Sequence, residues 1–248
     1  MTAQIRFQNL TLGYDRHPAV HHLDGAVEAG SLTAVVGPNG AGKSTLFKGL
    51  VGAIEPLAGA IERNGFKPEE IAYLPQVAEV DRTFPINVYD LVAMGLWRIK
   101  GPFGGVGRKD RDTVERAIEA VGLTGFEQRA IGTLSGGQMQ RTLFARLLLQ
   151  DAPVIVLDEP FAAVDAKTAG DLLALVRRWH DEKRTVLAAL HDIELVKATF
   201  PQALLLAREP IAWGATGEVL TPENIAKARR MCEAFDDEAI ACAVAEPA

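Results

Sequence analysis

A glycine-rich segment near the N-terminus has the residue types and spacing that bind phosphate. It fits the pattern G-x-x-x-x-G-K-[S/T] with Gly37, Pro38, Asn39, Gly40, Ala41, Gly42, Lys43, Ser44 and Thr45. The glycines let successive backbone N–H groups point at a phosphate, and the following helix adds the positive end of its dipole. We expect Lys43 to reach the β- and γ-phosphates of a nucleotide and Ser44 to place its hydroxyl on Mg²⁺. The segment therefore predicts a nucleoside triphosphate site.

Two carboxylates follow an apolar run later in the chain. The run Val154–Leu157 predicts a buried strand, and Asp158 and Glu159 come directly after it. In a parallel sheet, a carboxylate at this end of a strand lies beside the phosphate loop, where it can hold Mg²⁺ through water. We expect Asp158 to do this and Glu159 to orient or deprotonate the attacking water. An Asp-Glu pair alone would be interpreted as an exposed turn, but the complete phosphate loop favours the functional interpretation.

A second candidate phosphate-binding segment, called here the signature segment, is Leu134-Ser135-Gly136-Gly137-Gln138, which opens a predicted helix. Ser135 is a good N-cap, and the two glycines expose N–H groups at the positive end of the helix. Taken alone, the segment is explained equally well as an ordinary helix cap.

Composition limits the function classes. The 248 residues carry a net charge of −6, so there is no overall basic surface for nucleic acid. No apolar run approaches the roughly 18–20 residues needed to span a bilayer, and we expect no signal peptide. If the protein works at a membrane, another subunit must hold it there. Cysteine is sparse, and Cys232 and Cys242 are interpreted as reduced thiols in the C-terminal tail. A metal site with Asp236, Asp237 and Glu238 is the alternative, but the spacing matches no zinc template.

Short apolar strands alternate with helical periodicity, which predicts an α/β fold with a mostly parallel sheet and helices on both faces. The predicted strands are Ile5–Leu12, Val20–Val27, Leu32–Val36, Ile71–Leu74, Val154–Leu157, Thr185–Leu190 and Ala203–Leu206. The predicted helices are Thr45–Val51, Val88 to about Leu96, Asp112–Val121, Ser135 to about Leu149, Asp171–His180 and Ile193–Thr199, with a loop at Lys100–Gly107. We expect a single domain with a core at about 1–83 and 141–225, a helical subdomain at about 84–140 and a C-terminal tail at about 226–248.

Taken in order, these motifs resemble those of the ATP-binding subunits of ABC transporters over nearly the whole chain. Four further positions match such subunits: Tyr14 after Leu12-Gly13, Gln76 after Tyr73-Leu74-Pro75, Asp165 after Ala162-Ala163-Val164, and His191 between Leu190 and Asp192. The segment ending at Asp165 departs mildly from the commoner Ser-Ala-Leu-Asp. The resemblance implies a P-loop NTPase (RecA-like) fold with an antiparallel β portion at the N-terminus and an inserted α-helical subdomain.

The resemblance also implies how ATP is used. Two copies pair with C2 symmetry and enclose two ATP molecules with Mg²⁺, each between the phosphate loop of one copy and Ser135–Gln138 of the other. Tyr14 stacks on adenine, and His191 contacts the γ-phosphate and supports Glu159. Gln76 touches Mg²⁺ or the attacking water and reports the nucleotide state, and Asp165 lies at the dimer seam. Hydrolysis opens the dimer and drives membrane permease subunits, so the expected location is peripheral, on the cytoplasmic face of the cell membrane.

The cargo is indicated by the stretch from Ala78 to Gly95, which resembles the ATPases of bacterial manganese, zinc and iron importers. In these a Val-Asp-x-x-Phe-Pro segment, here Val80–Pro85, precedes a helix near Val88 and lines the groove that accepts a permease helix. We favour zinc over manganese, and an importer of iron chelates such as siderophores or haem is the alternative. A periplasmic or extracellular solute-binding protein is expected as an indirect partner. A metal role for His17, His21 and His22 is not favoured.

Two other function classes compete with transport. A soluble ABC ATPase acting on ribosomes or DNA is disfavoured because the chain has one cassette, no long coiled coil between its motifs and an acidic charge balance. A binding-only module is disfavoured because every expected catalytic group is present.

Overall fold

The computed structural model describes residues 3–15, 17–101, 107–162 and 164–237, without the side chains of Ala3 and of residues 233–237. It divides into two compact units. Unit 1 comprises Met1–Pro68 and Leu187–Ala248, and unit 2 comprises Glu69–Val186. In chain order, the helices and strands are β1 (Ala3–Tyr14), β2 (His17–Glu28), β3 (Leu32–Val36), α1 (Lys43–Leu50), β4 (Ala58–Arg63), β5 (Ile71–Leu74), α2 (Val88–Ala93), α3 (Trp97–Lys100), α4 (Arg108–Ala120), α5 (Gly136–Gln150), β6 (Val154–Asp158), α6 (Ala166–Asp181), β7 (Thr185–Leu190), α7 (Ile193–Thr199), β8 (Gln202–Ala207), β9 (Glu209–Ala215), α8 (Thr216–Val219) and α9 (Pro222–Asp237).

Unit 1 begins with an antiparallel sheet in which β1 lies between β2 and β4. Ile5 and Phe7 of β1 are buried, whereas Arg6 and Gln8 are exposed, as expected for a strand with one face on the core. Phe7 pairs with Ile61 of β4, and its ring lies 5.8 Å from that of Trp213 on β9.

The second set of strands in unit 1 carries the phosphate loop. β3 pairs in parallel with β8, with Val35 opposite Leu204, and β8 pairs antiparallel with β9. All five residues of β3 are buried, which explains why its sequence is continuously apolar rather than alternating.

Unit 2 contains a parallel pair of strands together with helices. β5 and β6 pair so that Ile71 lies opposite Val154 and Leu74 opposite Leu157. Their chain directions are the same, and so the residues that follow both strands emerge at one edge. α5 packs on α6 through the stacked rings of Phe144 and Trp179, whose centroids are 5.9 Å apart.

The predicted α/β class, with its antiparallel portion at the N-terminus, is confirmed, but several element bounds differ. β4 and β9 were not predicted, and α6 begins at Ala166 rather than near Asp171 because Asp165 caps it. α9 passes through residue 226, where we expected the tail to begin, and carries Cys232. Residues 102–106 of the predicted loop, Ala163 and Cys242 lie outside the described residues. The proposed division into core, helical subdomain and tail stays a prediction.

The part of the chain that the structure describes has no helix that is long and apolar enough to cross a membrane.

Candidate functional site

The glycine-rich segment of unit 1 forms a loop between β3 and α1, as its sequence predicts. Gly42 is the N-cap of α1 with φ 94°, a conformation that L side chains rarely adopt. A Cβ on Gly42 would lie 2.3 Å from the carbonyl oxygen of Ala19 in β2. Glycine is therefore required at this position both for backbone conformation and for space.

Lys43 lies against the loop that precedes it. Its Nζ donates hydrogen bonds to the carbonyl oxygens of Gly37 and Pro38, at 2.8 and 2.9 Å. Only 6% of the side chain is exposed. The ammonium group is thus held at the phosphate loop, where it can act as a point charge for phosphate.

Tyr14 lies at the end of the β1–β2 hairpin, in unit 1, with 47% of its surface exposed. Two contacts place this hairpin next to the phosphate loop. Gly42 approaches Ala19 of β2, and Gly49 of α1 approaches the Leu12 side chain of β1. An exposed aromatic ring beside a phosphate loop can stack on the base of a nucleotide.

His191 follows β7 and is exposed. The structure brings it together with the phosphate loop, since His191, Gly37, Pro38 and Asn39 line one cavity of about 270 Å³ in unit 1. Three residues of α9 also line this cavity: Ile225, Ala228 and Arg229. His191 and the phosphate loop therefore share one cavity within unit 1, while the predicted contact of His191 with the γ-phosphate stays a prediction.

Gln76 and Glu159 meet in unit 2. Leu74 and Leu157 are partners in the β5–β6 ladder, and Gln76 and Glu159 each follow two residues later. Both line a cleft of about 550 Å³, to which Gly136 of the signature segment also contributes. The cleft thus gathers an amide, a carboxylate and a helix N-terminus, which can together orient a water molecule.

The two adjacent carboxylates have different environments. Asp158 is the last residue of β6, and its surface is completely buried. Glu159 is half-buried and has φ 50°, in the left-handed region. This conformation costs a residue other than glycine about 1–2 kcal/mol, and such strain persists only where the surroundings hold it.

Ser135 forms a reciprocal cap with Gln138 at the start of α5. The Ser135 Oγ accepts from the Gln138 N–H at 3.2 Å, and the Gln138 Oε1 accepts from the Ser135 N–H at 3.0 Å. The cap fixes the first turn of α5, a helix of 15 residues. The positive end of this helix can bind an anion.

Asp165 is the N-cap of α6. Its Oδ1 accepts from the Thr168 N–H at 3.0 Å, and its Oδ2 accepts from the Thr168 hydroxyl at 2.6 Å. The hydroxyl and then the backbone N–H of Thr168 lower the pKa of Asp165, because both hydrogen bonds favour the ionised form. The Thr168 hydroxyl in turn accepts a hydrogen bond from Arg141 of α5 at 2.6 Å. This bond links α5 to the cap of α6.

A family model described as ABC transporter matches residues 20–162, which include the phosphate loop, Gln76, the signature segment and Glu159. The chain belongs to the ABC transporter family. As a member of this family it binds and hydrolyses ATP, and its fold is that of the P-loop ABC ATPases.

Two curated relatives of this ABC ATPase are similar over most of their length. The manganese transport system ATP-binding protein MntB of Listeria monocytogenes is 39% identical over 226 residues, covering 89% of this chain and 94% of that protein. The zinc transport system ATP-binding protein TroB of Treponema pallidum is 37% identical over 228 residues, covering 90% of this chain and 86% of that protein.

A solved structure described as a metal-chelate type ABC transporter in an inward-facing conformation is also similar. Its TM-score is 0.80 at 28% identity, and the match covers 92% of this chain and 90% of that one.

Sequence reasoning missed several residues of the ABC ATPase that contact the candidate site. Arg229 lies on a helix where we expected the start of a tail. Arg82 and Gln140 line the cleft with Glu159, and the Arg82 guanidinium donates to the carbonyl oxygen of Leu134 at 3.1 Å. Only Gln140 had a local signal, since it follows the signature segment by two residues. The contacts of Arg82 depend on chain segments far apart in sequence.

Proposed function

We propose that this chain is the ATPase subunit of a membrane importer for a divalent metal ion, manganese or zinc. The observation that carries the proposal is the 39% identity to a manganese transport ATPase across 94% of its length. The zinc relative is nearly as similar. Manganese names outnumber zinc names among the similar relatives, so our preference for zinc is not supported by them.

The residue roles in the proposal follow from the chemistry of each group. The phosphate loop and Lys43 bind the phosphates of ATP, Tyr14 stacks on the adenine, and His191 contacts the γ-phosphate. Glu159 accepts a proton from the attacking water, and Gln76 orients that water or contacts Mg²⁺. The remaining predicted nucleotide contacts are Ser135, Gly136, Gly137, Gln138 and Asp165, which act across a homodimer.

The candidate Mg²⁺ ligands fit this ion because they offer oxygen atoms. Asp158 is a fully buried carboxylate, and a buried charge is stable only with a cation or hydrogen bonds. Ser44 supplies a hydroxyl in the first turn of α1, and Gln76 supplies an amide oxygen. We propose that these three residues hold the ion. When bound, Mg²⁺ neutralises charge on the β- and γ-phosphates.

The proposed membrane partner is a permease subunit, with this chain peripheral on the cytoplasmic face. Its proposed docking surface lies in unit 2, at a shallow cavity of about 300 Å³. This cavity is lined by Tyr89, Asp90, Ala93, Met94, Trp97 and Arg111. Trp97 is 48% exposed. Aromatic rings and methionine next to charged groups suit the end of an amphipathic helix.

Replacing Trp97 tests this surface. Trp97→Ser should abolish co-purification with the permease while leaving the ATPase rate of the isolated chain unchanged. Leu57→Ser is the matched control, because Leu57 is a similarly exposed apolar residue, at 45%, in unit 1. Retention of the permease by Trp97→Ser would place the contact elsewhere.

The cargo is tested by initial uptake of radiolabelled manganese and zinc in cells starved of metal. Cells carry the wild-type chain, Glu159→Gln or the surface control Lys197→Ala at the native locus. If cells with Glu159→Gln lose uptake of one ion while cells with Lys197→Ala keep it, that ion is the cargo. Loss of iron-chelate uptake instead would support the alternative suggested by the metal-chelate type transporter structure. If Glu159→Gln leaves the uptake of manganese, zinc and iron chelates unchanged, metal import is contradicted and a non-transport ATPase is favoured.

A further inference from the structure

Gln140 lies one turn after the signature glycines on α5 and is 1% exposed. Its Nε2 donates to the carbonyl oxygen of Pro160 at 2.7 Å, and Pro160 directly follows Glu159. The side chain also lines the cleft that contains Gln76 and Glu159. Gln140 therefore joins the helix of the signature segment to the turn of the proposed catalytic carboxylate.

The orientation of the Gln140 amide follows from its partner. A carbonyl oxygen can only accept a hydrogen bond, so the nitrogen must face Pro160 and Oε1 must face away from it. Among the described residues, no donor reaches this buried Oε1. A fully buried amide with one free acceptor is costly to the fold, which is more typical of a site residue than of simple packing.

The turn that Gln140 contacts is the one that carries Glu159 in a left-handed conformation. Besides Gln140, the described hydrogen bonds at this turn include that from the Ala162 N–H to the carbonyl oxygen of Glu159, at 3.1 Å. A strained turn keeps its geometry only where neighbouring groups hold it. The donor on Gln140 is therefore placed to fix the direction in which the Glu159 carboxylate points.

We infer that Gln140 is a positioning residue for Glu159 and connects the signature helix to the catalytic carboxylate. The inference rests on the proposed role of Glu159 as the group that accepts the proton of water. Because α5 begins with residues proposed to bind nucleotide across the dimer, a shift of this helix would be transmitted through Gln140 to the turn at Glu159. In this role Gln140 acts through Glu159 and does not itself transfer a proton.

The first test is the ATPase rate of purified Gln140→Met, which keeps the volume and removes the donor. We expect kcat to fall about 5- to 50-fold, since a buried hydrogen bond is lost and the base is misplaced. The KM for ATP should stay within about twofold of wild type. Thr142→Val is the matched control, because it removes a fully buried hydroxyl on the same helix that bonds the Gln138 carbonyl at 2.8 Å, and its kcat should be unchanged.

A double-mutant cycle separates positioning from a general structural effect. If Gln140 acts through Glu159, adding Gln140→Met to Glu159→Gln should lower the residual rate less than about twofold. Effects that multiply in full would overturn the inference. If Glu159→Gln hydrolyses ATP slowly but Gln140→Met turns over like the wild type, the inference about Gln140 is overturned while the role of Glu159 stands. Wild-type turnover in Glu159→Gln would instead refute the proposed role of Glu159, and the inference with it.

Gln140→Glu provides a pH readout and a second variant if Gln140→Met does not fold. A protonated glutamic acid can donate to the Pro160 carbonyl, whereas the carboxylate cannot. Burial disfavours the charged form, so protonation should occur above the ordinary range of a glutamate. We expect the ratio of variant to wild-type kcat to rise as pH falls from about 8.5 to about 6. A ratio that decreases as pH falls would contradict the positioning role.

Discussion

The Nζ atom of Lys43 donates a hydrogen bond to the carbonyl oxygen of Gly37 at 2.8 Å. The two residues stand at opposite ends of the phosphate loop, so this bond closes the loop across its mouth. A second bond, to the carbonyl oxygen of Pro38, adds to the closure. Lys43, the proposed phosphate-binding lysine, is thus also a support of the loop.

Replacing Lys43 by alanine should weaken ATP binding about 10- to 150-fold. The basis is the value of a hydrogen bond to a charged group, about 1.5–3 kcal/mol. Equilibrium titration with MgATP measures this directly. Lys197→Ala is the control, since Lys197 is an exposed lysine of α7 in the same unit, and its affinity should equal that of wild type. Wild-type affinity in Lys43→Ala would refute the assignment of the phosphate loop.

Alanine substitutions at two glycines of this loop distinguish the cost of steric crowding from the cost of backbone strain. Gly42 has φ 94° and would place a Cβ 2.3 Å from a carbonyl oxygen, whereas Gly40 has φ 75° and nothing within 4 Å. Gly40→Ala should therefore cost about 1–2 kcal/mol of the free energy of unfolding. Gly42→Ala should cost clearly more, because β2 must move as well. Urea denaturation of both variants checks this order, and equal losses would mean that the contact with Ala19 relaxes freely.

The parts of the site that could be predicted are those encoded by neighbouring residues. The strand, loop and helix around Lys43 are contiguous, and the cap between Ser135 and Gln138 is a short local pattern. β9 was not predicted because Pro210 and Gly214 interrupt its pattern, and pairing with β8 overrides their local preference. The start of α6 was missed although Asp165 is a residue type that commonly caps a helix.

Contacts between distant segments could not be predicted from the sequence at all. The bond from Gln140 to Pro160 joins residues 20 positions apart, and the bond from Arg82 to Leu134 joins residues 52 apart. Neither bond follows from periodicity or from a motif, since each depends on how the tertiary fold brings together two segments that are distant in sequence.

Tyr14 provides a test of base recognition. With 47% of its surface exposed, its removal should disturb the fold little. Tyr14→Ala should weaken ATP binding about 5- to 150-fold, because aromatic stacking on a base contributes about 1–3 kcal/mol. Binding of tripolyphosphate, which has no base, should not change, and Tyr14→Phe should bind ATP like the wild type. Equal losses for ATP and tripolyphosphate would mean that Tyr14 supports the loop rather than the base.

Glu159→Gln removes the proton acceptor and keeps the shape of the side chain. ATP binding should be retained and kcat should fall about 10²- to 10⁴-fold, which is the usual contribution of a general base. Dimers formed with ATP should persist longer, as followed by size-exclusion chromatography with light scattering. The Thr142→Val variant serves again as the control. Unchanged turnover would remove Glu159 from the proposed role.

The pH dependence of stability is expected to show the contribution of Asp165. Hydrogen bonds from Thr168 lower the pKa of Asp165 in the folded chain. The carboxylate therefore stabilises the fold above its unfolded pKa, and this contribution is lost as pH falls through the lower, folded value. Asp165→Asn removes the charge but keeps a capping oxygen.

We expect the urea midpoint of Asp165→Asn to lie below that of wild type at neutral pH. The difference should shrink as pH falls below 3.8, the ordinary pKa of an aspartate, because the wild-type carboxyl then becomes neutral as well. Asp171→Asn is the control: Asp171 is an exposed aspartate of the same helix, 3.5 Å from Arg141, and such surface pairs contribute little. A difference that stays constant from neutral to acidic pH would mean that the introduced asparagine disturbs the cap geometry, and that the charge held by Thr168 is not what stabilises the start of α6.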